Sequence, residues 1–85
     1  MKHATPAALD SLEPLLARLR GLPGLAEKSR GVFYRKNRAF LHFHEDPAGL
    51  FADVRDAAGL DFERIDVTGD TGRRRLLALV RRRAS

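Results

Sequence analysis

The tightest constraint on this chain lies between Gly31 and Arg55. Val32-Phe33-Tyr34-Arg35 and Ala39–His44 are aromatic-rich runs of strand composition. Lys36-Asn37 lies between them and suits a tight hairpin turn. Pairing Arg35 with Arg38 sets Phe33 opposite Phe40 and Val32 opposite Leu41. Side chains alternate across a strand. Val32, Tyr34, Ala39, Leu41 and Phe43 then share one face, and Phe33, Arg35, Arg38, Phe40, His42 and His44 share the other.

Asp46-Pro47-Ala48-Gly49 has turn composition, and the alternation of Leu50–Arg55 predicts a third strand. Pairing Glu45 with Leu50 then places His44 opposite Phe51, Phe43 opposite Ala52, His42 opposite Asp53 and Leu41 opposite Val54. A competing reading makes residues 47–58 a helix, with Asp46 as N-cap, Pro47 in the first turn and Gly59 as the stop. The strand is preferred because it continues the meander. Phe62–Val67 predicts a fourth strand with Ile65 and Val67 inward and Phe62 out of parity; its register stays open.

A helix flanks the meander on each side. Leu12, Leu15, Leu16 and Leu19 recur at helical spacing. Ser11 is the expected N-cap, Pro14 falls in the first turn, and Gly21 is the expected left-handed stop. Leu25–Lys28 is expected to be a short turn. Residues 1–10 precede this helix and can lie outside the ordered body, with His3 inert. Thr68-Gly69-Asp70-Thr71-Gly72 is a turn from which Asp70 or Thr71 can cap a last helix. There Leu76, Leu77 and Val80 form the buried stripe, and Arg74, Arg75 and Arg82 point away. The expected fold class is α+β: helix, antiparallel meander of three to four strands, C-terminal helix, with both helices on one face. At 85 residues and 9.5 kDa this is a single domain, 1–85.

Composition narrows the function. Cysteine is absent, which excludes a disulfide framework and a thiolate zinc finger. No apolar run approaches the roughly 18 residues of a membrane span, and MKHATPAALDS has no apolar core of a signal peptide. No membrane role and a cytoplasmic location are therefore expected. The net charge of +5 is unevenly placed. Residues 1–70 hold ten Lys and Arg against all eleven acids, while residues 71–85 hold six arginines and no acid. A basic partner surface must therefore be argued from Arg73, Arg74, Arg75, Arg81, Arg82 and Arg83, not from the overall charge.

Three constellations can carry function. His42 and His44, at i and i+2 on one strand, point the same way, and Asp53 across the hairpin completes a two-histidine, one-carboxylate set suited to a divalent metal. The structural alternative is that Asp53 accepts a hydrogen bond from His42 and ties two strands together. Phe33, Phe40 and Phe51 alternate with Arg35, Arg38, His42 and His44 on the face left without a helix. Such a patch pairs with a second copy of the chain or stacks single-stranded bases. The six arginines of the last helix can meet nucleic-acid phosphates or form a solvated face. Arg81–Arg83 there complement the helix dipole, and Arg73–Arg75 look to an acid such as Asp66 or Asp70. No serine or cysteine nucleophile sits in a recognisable elbow, and Gly21-Leu22-Pro23-Gly24 lacks a phosphate-loop pattern. No catalytic residue is assigned.

The stretch GVFYRKNRAFLHFHEDPAGLFADVR, residues 31–55, resembles small uncharacterised bacterial proteins with an F-L-H-F-H-E-D…G-L-F-A-D-V core. It is similar, more faintly, to the H-L-H…D pattern of a small family called luciferase-like. The resemblance implies a strand after the H-x-H and singles out His42, His44 and Asp53. It implies no known activity. The leading expectation is a small non-enzymatic binding protein that forms a homodimer through Phe33, Phe40 and Phe51. The alternatives are a nucleic-acid-binding protein and a metal-dependent enzyme at His42, His44 and Asp53.

Overall fold

Every strand pairing among the described residues is antiparallel, and two helices bracket all of the sheet in sequence but its first, two-residue strand. The computed structural model describes residues 2–84. Its elements are β1 (Lys2–His3), α1 (Pro6–Arg20), β2 (Ala26–Ser29), β3 (Val32–Arg35), β4 (Arg38–Asp46), β5 (Gly49–Arg55), β6 (Phe62–Asp66) and α2 (Asp70–Ala84). The sheet runs β2-β3-β4-β5-β6, and β1 pairs with the far half of β4. The fold is α+β, as the residue pattern predicts, with six strands in place of three or four. No helix among the described residues is long and apolar enough to cross a membrane.

The first helix starts earlier than expected. Thr5, not Ser11, is the N-cap: its hydroxyl accepts from the Ala8 N–H at 3.3 Å, and Pro6 occupies the first helical position. Pro14 consequently sits inside the helix. It is exposed, so the helical hydrogen bond it cannot donate is missing on the wet side. Of residues 1–10, Met1 lies outside the described residues, while Lys2–His3 forms a short strand and Pro6 onward is helical. Gly21 ends the helix with φ of −79°, and the left-handed turn falls at Gly24, φ +87°. A Cβ on Gly24 would lie 2.8 Å from the Ala84 carbonyl oxygen, so this loop must pass close under the end of α2. Beyond it, Ala26–Ser29 forms β2 where a turn is expected.

The β4–β5 hairpin has the expected register throughout: Leu41 with Val54, His42 with Asp53, Phe43 with Ala52, His44 with Phe51 and Glu45 with Leu50. The strand, not the helix, forms at Gly49–Arg55. The β3–β4 hairpin departs from expectation after its turn. Lys36 and Asn37 take φ of 52° and 66°, and Arg35 pairs with Arg38 and Tyr34 with Ala39. Phe33 then pairs with Leu41, because the register shifts and Phe40 is passed over.

That bulge moves Phe33 to the helix-covered face, where it is 1% exposed, and Phe40 joins the same core at 5%. Burying a phenylalanine contributes roughly 1.5–3 kcal/mol. A single ladder hydrogen bond contributes about 0.5–1.5 kcal/mol net. Two buried rings outweigh one interrupted ladder. The expected face shared by Phe33, Phe40 and Phe51 does not exist; only Phe51 remains with the histidines.

Leu12, Leu16 and Leu19 of α1 and Leu76, Leu77 and Val80 of α2 close the core over Phe43, Val54, Ile65 and Val67. The stripes and the inward Ile65 and Val67 match expectation. Gly72, in the first turn of α2, allows the close approach of β6: a Cβ there would lie 1.8 Å from the Asp66 carbonyl oxygen.

Candidate functional site

On the face away from the helices, alternation along three strands brings polar groups together. From β4 come His42 and His44, from β5 Asp53, and from β6 Arg64, the direct partner of Asp53. His3 of β1 pairs with His44. The anchoring of β1 explains its place. Ala4 donates its N–H to the Phe43 carbonyl at 3.1 Å, and the Thr5 N–H donates to the Glu45 carboxylate. Glu45 is held below the usual carboxylate range by this contact with Thr5.

Potential ligand atoms of His42, His44 and Asp53 all lie within 4.8 Å of one another. The nearest pair is not the one expected. His44 Nε2 lies 3.2 Å from Asp53 Oδ2 on the diagonal; a His42–Asp53 hydrogen bond, the structural alternative, is not among the contacts found. The rings pack on one another. His3 stacks on His44 with centroids 5.0 Å apart, His42 meets His44 edge-on at 4.8 Å, and Phe62 lies 5.1 Å from His42. Arg55 covers the far side of Phe62 at 4.6 Å.

Asp53 is the buried charged residue of the described chain, at 8% exposure. Arg64 grips it with a two-pronged guanidinium: Nε donates to Oδ1 at 2.7 Å and Nη2 to Oδ2 at 2.8 Å. This fork holds the Asp53 carboxyl below its ordinary range and raises Arg64. Burial pushes the His42 imidazole below its ordinary value, and His44 beside it pushes the same way. His42 is therefore held neutral, with a lone pair available. The Nδ1 atoms of both His42 and His44 are buried without a hydrogen-bond partner.

The donor set fits a divalent transition metal in type: two imidazoles and an ionised carboxylate, with coordination positions left over. It is wider than a closed site. Ligand atoms around one tetrahedral ion with bonds of ~2.0 Å stand about 3.3 Å apart, so side-chain rotation of about an ångström is needed. Arg64 already satisfies the carboxylate, so an incoming cation competes with it. The Arg64 side chain is 49% exposed and can swing into solvent.

The other sequence candidates are dispersed. Phe33 and Phe40 are in the core, and Phe51 is half-buried on the open face. Arg73 donates to the carbonyls of Val67, Ser11 and Thr68, pinning the start of α2 to β6 and α1. Arg83 donates to the Arg55 carbonyl and to Glu63. Arg74 pairs with Asp70 at 3.2 Å on the surface, one of the two acids expected near it. Arg75, Arg81 and Arg82 are exposed. The six arginines are thus not one phosphate-facing row.

His3, Arg64 and Phe62 belong to the site without having been singled out in the sequence. Arg64 is implied by parity, since Ile65 and Val67 face inward and their neighbour must face out. His3 carries no such signal. Comparisons with protein-family models, with curated proteins and with solved structures find no match to this chain. The functional reading rests on the geometry.

Proposed function

We propose that this chain is a small binding protein for a divalent first-row transition metal ion, held on the open sheet face by His42, His44 and Asp53. One observation carries the reading. Two buried imidazole nitrogens lack partners beside a carboxylate kept ionised. An unsatisfied buried polar atom costs about 1–3 kcal/mol, and a metal bond made at Nδ1 itself is an interaction that would recover it. The His3 ring, stacked on His44, is placed to join as a further ligand by rotating about its own side chain.

Zinc titration by calorimetry, on protein made without a histidine tag, tests this. A saturable event is expected, and His42→Ala with His44→Ala abolishes it. Absence of heat and of any rise in Tm with excess zinc, manganese or cobalt would sink the proposal.

Self-association is a second reading, favoured by a separate observation. Phe62, on the uncovered face, is 38% exposed, and Leu60, two residues before it, is 84% exposed. Apolar groups gathered at an uncovered sheet face suit an isologous dimer. Light scattering on wild type and Phe62→Glu decides it. A dimer that dissociates in the variant supports the reading, and a monomeric wild type ends it.

A further inference from the structure

The fold builds a second constellation away from the histidines. Between the β3–β4 turn, the loop joining β5 to β6 and the last turn of α2 lies an open cleft of about 600 Å³. Arg35, Lys36, Arg38, Arg55, Arg82 and Arg83 line it, with Asp56 the one acidic residue of the lining among the described residues. These cations come from three separate segments, Arg35-Lys36-Asn37-Arg38, Arg55 and Arg82-Arg83, which the fold brings together.

Arg35, Lys36, Arg38 and Arg55 meet no carboxylate among the described residues. Arg38 donates to the Gly59 carbonyl at 2.9 Å, and Arg55 donates to the carbonyls of Ala39 at 2.7 Å and Gly59 at 3.1 Å. A carbonyl orients a guanidinium without neutralising it. Arg83 has a carboxylate partner, Glu63, at 2.7 Å. Asp56 turns its carboxylate to its own loop, accepting the Leu60 N–H at 3.1 Å. Arg35 and Lys36 make no hydrogen bond or ion pair among the described residues.

Like charges converging on one concavity repel, and a multivalent anion relieves that repulsion. Guanidinium groups match phosphate oxygens in a two-pronged geometry. The volume falls in the range of about 300–1,000 Å³ that holds small organic ligands. Ala57, Ala58 and the ring of Phe40 add an apolar part to the lining. Both Arg38 and Arg55 clasp the Gly59 carbonyl, so the loop wall is held in place before any ligand arrives.

We propose that this cleft binds a small phosphorylated ligand of nucleotide size, with Arg35, Lys36, Arg38 and Arg55 meeting its phosphates. The proposal is independent of the metal site, with which the cleft shares no residue.

Calorimetric titration of the full chain with ATP and with pyrophosphate, in EDTA to silence the histidine site, tests it. One-to-one binding that weakens as salt rises is expected. Arg35→Glu with Lys36→Glu should weaken binding by about tenfold or more, the scale of losing charge-assisted hydrogen bonds, with Tm little changed because neither side chain holds the fold. Arg74→Glu with Arg75→Glu, the same charge change outside the cleft, should leave affinity within about twofold. Failure of both ligands to bind at low salt overturns the proposal. An equal loss in the two double variants overturns it as well, by reducing the effect to overall charge. Binding of single-stranded RNA without binding of ATP or pyrophosphate overturns it in favour of an extended nucleic-acid surface. If Arg35→Glu with Lys36→Glu does not fold, Arg35→Gln alone carries the comparison.

Discussion

The two faces of this sheet bury their side chains by opposite means. On the covered face Phe33, Leu41 and Val54 are at most 1% exposed, sealed by leucines from two helices. On the open face no helix approaches, yet Asp53 is 8% exposed, sealed by the two histidines beside it and the Arg64 fork. The covered face is held by apolar area, which tolerates no polar atom. The open face is held by polar groups that cover one another, and two of its nitrogens stay unsatisfied. The first arrangement supplies stability. The second leaves two imidazole nitrogens without a partner, and this incomplete satisfaction is what makes it a candidate for function.

The largest effect that can break this comparison is at Phe33. With the bulge at Phe40, Phe33→Ala removes a fully buried ring and should cost about 3–5 kcal/mol in urea denaturation. A cost under about 1 kcal/mol would return Phe33 to the open face, where surface changes are mild. Asp53→Asn is next. It keeps the shape and removes the charge that Arg64 and His44 face, at a cost of about 1 kcal/mol, kept small because the half-exposed Arg64 is screened by solvent. A cost matching that of Phe33→Ala would mean that the open face stabilises the fold as much as the core does.

The smallest effect concerns pH, at the β2 edge. Glu27 is held below its ordinary 4.5 first by Arg20, whose Nε donates to it at 2.6 Å, and further by the Gly31 N–H. A carboxyl depressed by folding adds stability above its unfolded value, and the contribution fades as pH falls through the lower folded value. Glu27→Gln should therefore lower stability slightly at pH 7 and flatten the acid limb below about pH 4.5. An acid limb unchanged by the substitution would remove Glu27 from the account.

What the sequence made legible follows from where its constraints are local. The β4–β5 register was readable because a four-residue turn and an unbroken alternation leave one solution, and that register alone delivers His42 opposite Asp53. The β3–β4 register was not, because nothing in Phe40 marks it as the residue a bulge passes over; the core's demand for two rings decides it. The start of α1 was misplaced because Ser11-x-x-Pro14 and Thr5-Pro6 offer competing signals, and the choice depends on Ala8 reaching the core. Lys2–His3 is too short to announce a strand; it exists through its contacts with β4, and His3 reaches the site only for that reason. Ala26–Ser29 has little strand propensity and is a strand because β3 offers it an edge. The basic cleft is not legible because Arg35-Lys36-Asn37-Arg38, Arg55 and Arg82-Arg83 lie far apart along the chain, and only the closed fold adds the three groups together.

Arg64 stands between the two descriptions of the open face, as stabiliser of Asp53 and as competitor of a metal. Cobalt(II) titration of wild type and Arg64→Ala side by side, read by the visible absorption of the ion, addresses this directly. Binding in wild type and tighter binding in Arg64→Ala, by about tenfold from removal of one competing charge-assisted fork, is the predicted result. No cobalt band in either protein would contradict the metal site altogether, and the His42, His44 and Asp53 cluster would then be a structural tie between strands.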